Sequence, residues 1–220
     1  MAVISFASSK GGAGKTTACI VLGTELAQHT TVTMIDADPA QRLIAWSRRA
    51  ALPPRIRVTG CTEVREVGEV IKSEQGHSTV VLVDLEGIAS RLNTAVIARS
   101  NMVIIPMGDE QQDATAAVDT LREIRADEET LGRQIKARVL FSRTKAAVKS
   151  RIAKLMNEGM RANVPCFEVE LKDRSAYSHL HNTGGGLRDL PDGVGGLEKA
   201  IQNAEEFAAE VYAVLMEDAQ

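Results

Sequence analysis

The stretch that decides the fold is Lys10-Gly11-Gly12-Ala13-Gly14-Lys15-Thr16-Thr17. It follows an apolar run at 3–7 and leads into a helix-like run at 18–27, which is the strand, loop and helix setting of a phosphate-binding loop. Glycines allow backbone N–H groups to surround phosphate oxygens, and the dipole of the helix N-terminus favours negative charge. Lys15 would supply a cation to the β- and γ-phosphates, and the Thr16 hydroxyl is a suitable ligand for Mg²⁺. The stretch is therefore predicted to bind the phosphates of a nucleotide.

The composition is ordinary for a globular protein, and 220 residues are enough for one large domain, which we place at 1–220. The net charge of −3 argues against a uniformly basic nucleic-acid binder but is compatible with a local basic face. No apolar run approaches the roughly 20 residues that span a bilayer, and no secretory leader is visible. Cys19, Cys61 and Cys166 are odd in number and widely spaced, which is typical of reduced thiols. We therefore expect a cytoplasmic protein.

Apolar runs alternate with helical periodicity along the chain. The predicted strands are 3–8, 31–36, 56–59, 79–84, 102–106, 136–142 and 165–169. The predicted helices are 15–28, 40–50, 63–74, 90–99, 112–130, 147–162 and 197–216. The pattern predicts an α/β fold, a doubly wound and mostly parallel sheet flanked by helices, with ligands at the carboxyl ends of the strands.

A glycine-rich stretch at 182–196 precedes the last predicted helix and contains six glycines. Its composition indicates a mobile surface loop. A lid over the nucleotide stays open as the alternative, because long loops in compact domains are often functional.

Acidic residues follow two of the predicted strands. The second strand ends in Asp36-Ala37-Asp38, and the fourth ends in Asp84-Leu85-Glu86-Gly87. Carboxylates at these strand ends would converge beside the phosphate loop. Asp84 is predicted to hold Mg²⁺ through water, and Gly87 allows a close backbone approach to the γ-phosphate. Glu86 is either a base or, more simply, a solvated or ion-paired carboxylate.

The glycine-rich motif at 10–17, the Asp36-Ala37-Asp38-Pro39 motif and the apolar run before Asp84 resemble the deviant Walker ATPases of the ParA/MinD family. The similarity is greatest to short plasmid-partition and VirC-type members. It implies ATP and Mg²⁺ as ligands and a slow intrinsic ATPase in which the nucleotide serves as a timer. It also implies that Lys10 reaches across a dimer to the partner's ATP, that Asp38 helps position the attacking water, and that Asp36 supports the Mg²⁺ shell. The predicted catalytic residues are Lys10, Lys15 and Asp38, and the predicted metal residues are Thr16, Asp36 and Asp84.

Two features depart from the family or are weakly defined. Leu85 stands where the family more often has a small residue or Thr, and the acidic Glu86 follows it, so the second switch is poorly defined by the resemblance. Ser142 and Arg143 match a region that touches the adenine base in relatives, and Arg143 is the candidate for that contact.

Positive charge is concentrated at 133–174, a stretch that contains eleven Lys and Arg residues and only four acidic ones. Several lie on or just before one predicted helix, and Arg174 lies in a segment that resembles the DNA-binding stretch of ParA relatives. Such side chains would contact the DNA backbone, with little sequence preference and strong salt dependence. The predicted DNA-binding residues are Lys145, Lys149, Arg151, Lys154 and Arg174.

The stretch from Ala204 to Asp218, which includes the end of the last predicted helix, is amphipathic, but its charged residues are acidic. Anionic lipid headgroups would repel them, so packing onto the domain is predicted instead of membrane binding. His179 and His181 are predicted to be ordinary surface histidines, since no third metal ligand is evident.

Together these observations predict an ATPase whose ATP-bound homodimer binds double-stranded DNA non-specifically and segregates or positions a plasmid or other DNA cargo. A cargo-bound ParB-type or centromere-binding adaptor would stimulate hydrolysis, and the ATP-bound protein would be associated with the nucleoid. Positioning of a protein cargo, such as a microcompartment or chemoreceptor cluster, is the main alternative. A MinD-like membrane regulator and an iron–sulfur or metal-delivery relative are the others, and they are disfavoured by the acidic tail and by the cysteine spacing.

Overall fold

A computed structural model describes residues 1–87, 90–144 and 151–217. The strands are β1 Ala2–Phe6, β2 Val32–Ala37, β3 Ile56–Gly60, β4 Val80–Leu85, β5 Met102–Met107, β6 Lys136–Thr144 and β7 Leu171–Lys172. The helices are α1 Lys15–Leu26, α2 Arg42–Ser47, α3 Val67–Gln75, α4 Arg91–Ile97, α5 Gln111–Leu131, α6 Arg151–Asn163, α7 Ser175–Thr183 and α8 Leu197–Met216. A 3-10 turn lies at Leu187–Asp189.

These strands form a parallel sheet in the order β3-β2-β4-β1-β5-β6-β7. β1 pairs with both β4 and β5, so the chain starts at the centre of the sheet and winds outward in two directions. Such a reversal opens a crevice at the carboxyl ends of the strands. The loop that follows β1 lies at this crevice. The predicted α/β, doubly wound parallel fold is confirmed.

Helices cover both faces of the sheet, and alternate strand residues enter separate cores. Ile4 and Phe6 pack with Ile20 of α1 on one face, whereas Val3 belongs to the core that contains Val96 of α4. All five side chains are at most 1% exposed. Burial on both faces explains why the strands read as continuous apolar runs instead of alternating ones.

The strand predicted at 165–169 is misplaced. Cys166 forms an isolated bridge with Val139 of β6. The amides of Glu168 and Val169 then donate to the Glu210 carboxylate of α8, at 2.7 and 2.9 Å. Because a side chain binds these amides, ladder pairing with β6 resumes only at β7.

Helix α7 lies where the sequence predicts no helix, and it extends into the first two residues of the glycine-rich stretch at 182–196. The sequence predicts a mobile surface loop for this stretch. In the structure the stretch instead packs against the domain. The Trp46 Nε1 donates to the Gly185 carbonyl at 3.1 Å, and Leu187 and Leu190 are buried. Arg188 bridges Glu25 of α1 and Glu205 of α8 at 3.0 and 2.6 Å. These contacts place the stretch over α1, α2 and α8.

Candidate nucleotide-binding site

The phosphate loop connects β1 to α1 as predicted. Gly12 and Gly14 have φ values of 79° and 99°, a left-handed backbone conformation that residues other than glycine rarely adopt. Gly14 is the N-cap of α1 and provides no side-chain cap, so no side chain of the loop occupies the first amides of the helix. The loop therefore presents backbone N–H groups and a helix N-terminus, the usual means of binding an anion.

Lys15 is the buried lysine of the loop, with 7% of the residue exposed. Desolvation lowers the pKa of its ammonium, and the nearby Asp84 opposes this shift. Gly87 lies so close that a Cβ there would be 3.1 Å from the Gly11 nitrogen and 3.3 Å from the Lys15 Nζ. The absence of a side chain at Gly87 thus lets the segment after β4 approach the loop, and the predicted approach of Gly87 to the γ-phosphate stays a prediction.

Asp84 and Thr16 form the candidate metal site. The Thr16 hydroxyl donates to the Asp84 Oδ2 at 2.6 Å, and the buried Oδ1 has no hydrogen-bond partner. Burial, aided by the neighbouring Asp36, raises the pKa of Asp84 to about 7, against the opposing effect of the Thr16 hydrogen bond. A hard divalent cation that prefers oxygen ligands would compensate such a buried, incompletely bonded carboxylate. These residues therefore fit Mg²⁺, although no cluster of three His, Cys, Asp or Glu residues occurs in the described part of the chain.

Asp36 and Asp38 organise the segment between β2 and α2. Asp36 is fully buried, and its two oxygens accept the amides of Asp38 at 3.2 Å and Ile44 at 2.8 Å. Burial raises the pKa of Asp36, while these amides oppose the shift. Asp38 accepts the Ala40 amide at 2.8 Å and pairs with Arg42 at 3.2 Å. Asp36 therefore fixes the backbone between β2 and α2 through these two amides, and Asp38 is more exposed than Asp36.

Lys10 lies at the rim of the site and is bound by acidic residues of its own subunit. Its Nζ is 2.6 Å from the Asp113 Oδ1 and 3.6 Å from the Glu110 Oε2. The hydrogen bond to Asp113 raises the pKa of Lys10. Asp113 fits here because Gly108 has no side chain, as a Cβ at Gly108 would be 2.6 Å from the Asp113 Oδ2. Neither acid is predicted from the sequence, because Glu110 is the N-cap and Asp113 lies in the first turn of an ordinary amphipathic helix, α5.

The far side of the loop is closed by β6 and α7. Ser142 Oγ donates to the Ala13 carbonyl at 2.7 Å, and Arg143 donates to the Gly12 carbonyl at 2.8 Å. Arg143 has a φ of 55°, which is unusual for a residue with a side chain. Thr17 Oγ1 lies 2.8 Å from His181 Nε2 of α7. His181, predicted to be an ordinary surface residue, therefore contacts the loop, and only the unpredicted helix α7 brings it there.

The predicted DNA-binding residues do not all share one surface. Lys145 and Lys149 lie outside the described residues. Arg151 and Lys154 are exposed on α6. Arg174 is half-buried, its Nε is enclosed without a hydrogen-bond partner, and it lines a cleft of about 100 Å³ with Thr17 and His181, among other residues. The structure thus brings Arg151 and Lys154 together and places Arg174 beside the nucleotide loop.

The last helix packs onto the domain, as predicted. Phe207, Val211 and Val214 are at most 3% exposed. None of the described helices combines the length and the apolar character needed to cross a bilayer.

Comparisons with known proteins agree with this geometry. The sequence model of the family described as VirC1 protein matches residues 1–188. The chain is 37% identical to protein ParA of Rhizobium radiobacter, over 99% of each chain. It is 28% identical to protein virC1 of the same organism, over 84% of this chain and 82% of the relative. Among solved structures, apo McdA of Cyanothece superposes with a TM-score of 0.75 at 18% identity, covering 94% of this chain and 98% of McdA.

Proposed function

The chain belongs to the VirC1 family, and from that premise we propose that it is a ParA-type ATPase that binds DNA as an ATP-dependent homodimer. The observation that carries the proposal is the contrast between its two loop lysines. Lys15 is buried inside the loop, whereas the side chain of Lys10 is 33% exposed at the rim. One lysine suffices for the phosphates of a bound nucleotide, so the second is available to a ligand outside its own loop.

ATP would be held by residues 11–17, with Arg143 closing the loop on its outer side. Thr16 and Asp84 would hold Mg²⁺, with Asp36 behind them, and the bound ion would neutralise charge on the β- and γ-phosphates. Asp38 would orient the attacking water, since the Ala40 amide and Arg42 fix its carboxylate near the crevice. No strong nucleophile is required, because positioning and charge neutralisation supply most of the catalysis in phosphoryl transfer. Slow intrinsic hydrolysis suits such a site.

Dimerisation would require Lys10 to leave Asp113 and Glu110 for the ATP of the partner subunit. Triphosphate oxygens carry more negative charge than one carboxylate, so they compensate for the lost ion pair. ADP lacks the γ-phosphate and would do so less well. A ligand shifts an equilibrium only through its differential affinity for the two states, and this difference would make the dimer depend on ATP.

The dimer would bind double-stranded DNA through exposed basic residues. Arg151 and Lys154 on α6 make no ion pair with any described residue, so their charges are available to phosphates. Lys145, Lys149 and Arg174 complete the proposed set. Contacts of this kind to the DNA backbone give little sequence preference. Hydrolysis, stimulated by a ParB-type or centromere-binding adaptor, would release the protein and allow a plasmid or other DNA cargo to be segregated. The ATP-bound protein would then be associated with the nucleoid in the cytoplasm.

The test is binding to a random double-stranded DNA with ATP, with ADP and without nucleotide. Wild type is expected to bind only with ATP, and raising salt from 50 to 200 mM should weaken binding at least about tenfold. Lys10→Ala is expected to abolish binding and Arg174→Ala to weaken it. Arg65→Ala, which removes one exposed positive charge on another surface, is the matched control and should bind like wild type. Equal binding in all three nucleotide states would refute the proposal.

A second candidate is the positioning of a protein cargo, which the similarity to McdA, the maintenance of carboxysome distribution protein A, favours. It shares the nucleotide cycle and the DNA-bound dimer, and differs only in the adaptor. Fluorescently tagged protein in cells that have lost the plasmid separates the two. Persisting regular positioning would favour a protein cargo, whereas a uniform nucleoid distribution would favour the plasmid.

A further inference from the structure

Helix α7 carries two histidines in different surroundings. His179 is exposed, whereas His181 is half-buried and lies against the phosphate loop. Successive helical residues are about 100° apart, so two positions turn a side chain to the other side of the helix. The Nε2 of His181 is 2.8 Å from the Thr17 Oγ1, which is a hydrogen-bonding distance. Of the two histidines, His181 is therefore the candidate for a role in nucleotide binding.

Thr17 belongs to the first turn of α1, which faces the phosphates in the proposed site. The hydrogen bond from the Ala18 amide to the Gly14 carbonyl, at 2.9 Å, is the one that begins the helix. The amides of residues 15–17 precede it, so they have no partner within the helix and are available to an anion. The Thr17 hydroxyl is attached to this same turn and is half-buried. The contact with His181 therefore acts on a side chain at the phosphate-binding turn.

Helix α7 is fixed to the domain independently of this contact. Ala176 and Leu180 are fully buried, and the Tyr177 hydroxyl donates to the Asn203 Oδ1 of α8 at 3.2 Å. A side chain on a helix that is held by packing has a well-defined position. The imidazole of His181 is thus placed by the core, and its replacement should leave α7 in position.

The surroundings of His181 keep its imidazole neutral at neutral pH. Burial, together with the positive charges of Arg42 and Arg49, lowers the pKa of His181 below its ordinary value of 6.5. The cleft of about 100 Å³ that His181 shares with Thr17 has three further basic side chains and one acidic side chain on its walls, those of Arg143, Lys172, Arg174 and Asp173. A neutral imidazole carries hydrogen on only one of its two nitrogens. The tautomer therefore decides whether His181 or Thr17 is the donor in their hydrogen bond.

A phosphate beside this turn favours one of the two tautomers. Phosphate oxygens are acceptors, so a hydroxyl that faces them must keep its hydrogen for them. With hydrogen on Nε2, His181 donates to the Thr17 Oγ1, and the hydroxyl hydrogen stays available. With hydrogen on Nδ1, the Thr17 hydroxyl donates to Nε2 and presents only lone pairs to the phosphate. The first arrangement adds a donor to the site, and the second removes one.

From this geometry we propose that His181 is a positioning residue of the nucleotide site: its Nε2–H donates to the Thr17 hydroxyl, which then donates to a phosphate oxygen of the bound nucleotide. The inference rests on the proposed function, because it needs a nucleotide in the phosphate loop. It adds to that site a residue 164 positions away from Thr17. His181 acts through Thr17 and is not itself a contact of the phosphates.

The test is isothermal titration calorimetry of the full chain with Mg²⁺ and a slowly hydrolysed ATP analogue. His181→Leu removes both ring nitrogens, so the affinity should fall roughly five- to tenfold, the usual effect of one lost hydrogen bond. His181→Gln retains a donor in its side-chain amide and should stay within about twofold of wild type. His179→Leu, on the exposed side of the same helix, is the matched control and should bind like wild type. If His181 only packed α7, Leu would replace it better than Gln, and that result would overturn the proposal.

A double-mutant cycle tests whether His181 acts through Thr17. Thr17→Val replaces the hydroxyl by a methyl group and should weaken binding of the analogue. Adding His181→Leu to Thr17→Val should then cost less than about a further twofold, because residues that act as one unit are not additive. If the two losses multiply in the double variant, the residues act separately and the proposal is overturned.

The tautomer can be measured in the wild-type protein, so this readout does not require a variant to bind nucleotide. The ring ¹⁵N chemical shifts of His181 are assigned by their absence from the spectrum of His181→Gln. With the analogue bound, hydrogen is expected on Nε2 and not on Nδ1. Hydrogen on Nδ1 alone would contradict the proposed direction of the hydrogen bond.

Failure of this inference is distinguishable from failure of the proposed function. A wild type that does not bind the analogue overturns both. A wild type that binds it, with His181→Leu equal to wild type, overturns only the role of His181. If His181→Leu binds the analogue normally but loses DNA binding, α7 serves the DNA contact of Arg174, and the positioning role is again overturned.

Discussion

The two lysines of the phosphate loop stand in opposite surroundings. Lys15 is buried behind Gly87, and desolvation lowers the pKa of its ammonium. Lys10 is five positions earlier, at the rim, where the hydrogen bond to Asp113 raises its pKa. Lys15 lies near the buried carboxylate of Asp84, whereas Lys10 is paired with Asp113 of α5 and with Glu110, the residue that precedes α5.

The region around Lys15 is a preformed binding site, whereas Lys10 at the rim is held by ion pairs that another anion could replace. The inner region has glycines in the left-handed conformation, a buried pair of hydroxyl and carboxylate groups, and a carboxylate oxygen without a hydrogen-bond partner, and these groups lie beside strands β1 and β4. These groups are already positioned, so a ligand could bind without a rearrangement of the inner region. The rim has an ion pair that can be exchanged for another anion without moving the sheet. Binding and dimerisation are therefore expected to respond to different substitutions.

The largest effect is expected for Lys15→Ala. Losing a cation at the phosphates removes charge-assisted hydrogen bonds, which should weaken ATP affinity by about 3 kcal/mol, or roughly 100-fold. Isothermal titration calorimetry with a slowly hydrolysed ATP analogue measures it. Lys10→Ala is the matched control and should stay within about threefold of wild type. Equal losses for the two variants would show that the two lysines share one task.

Asp84→Asn should remove Mg²⁺-dependent hydrolysis yet stabilise the metal-free protein at high pH. The pKa of Asp84 is about 7 in the folded state, above its ordinary value near 4. The folded state thus keeps a proton that the unfolded state loses, so stability falls as pH rises from about 4 to about 7. Above pH 7 the substitution should raise the free energy of unfolding by roughly 2 to 4 kcal/mol. Urea titrations at pH 5 and pH 8 test this, and a gain of equal size at both would contradict the pKa argument.

The smallest effect is expected for Asp113→Asn, which releases Lys10 without removing it. Dimerisation should then need several-fold less ATP, because the competing ion pair is lost. Glu110→Gln is the control with a weaker expected effect, since its carboxylate lies 3.6 Å from Lys10 and its side chain is 76% exposed. Light scattering across an ATP titration reports both. A higher ATP requirement for Asp113→Asn would mean that Asp113 supports the dimer instead of restraining the monomer.

The sequence predicts the inner region well because its residues are consecutive or end adjacent strands. The loop at 10–17 and the strand ends at Asp36 and Asp84 follow from local patterns, and the parallel sheet then brings them together. The β-strand pattern failed at 165–169, where a side chain of a distant helix binds the backbone amides.

The rim and the α7 side could not be predicted in the same way. Asp113 and His181 are 103 and 164 residues away from their partners in the loop. An acid in the first turn of a helix, such as Asp113, and a histidine between Leu180 and Asn182 carry no local signal of such contacts. Only the tertiary arrangement of α5 and α7 identifies them.

We propose that Lys10 acts on the ATP of another subunit, and sedimentation velocity with Mg²⁺ and a slowly hydrolysed ATP analogue tests this role directly. At protein concentrations low enough to keep the nucleotide-free protein monomeric, wild type is predicted to become a dimer with the analogue and to remain a monomer with ADP. Lys10→Ala is predicted to bind the analogue normally and to remain a monomer. A Lys10→Ala protein that dimerises as wild type does would contradict the account.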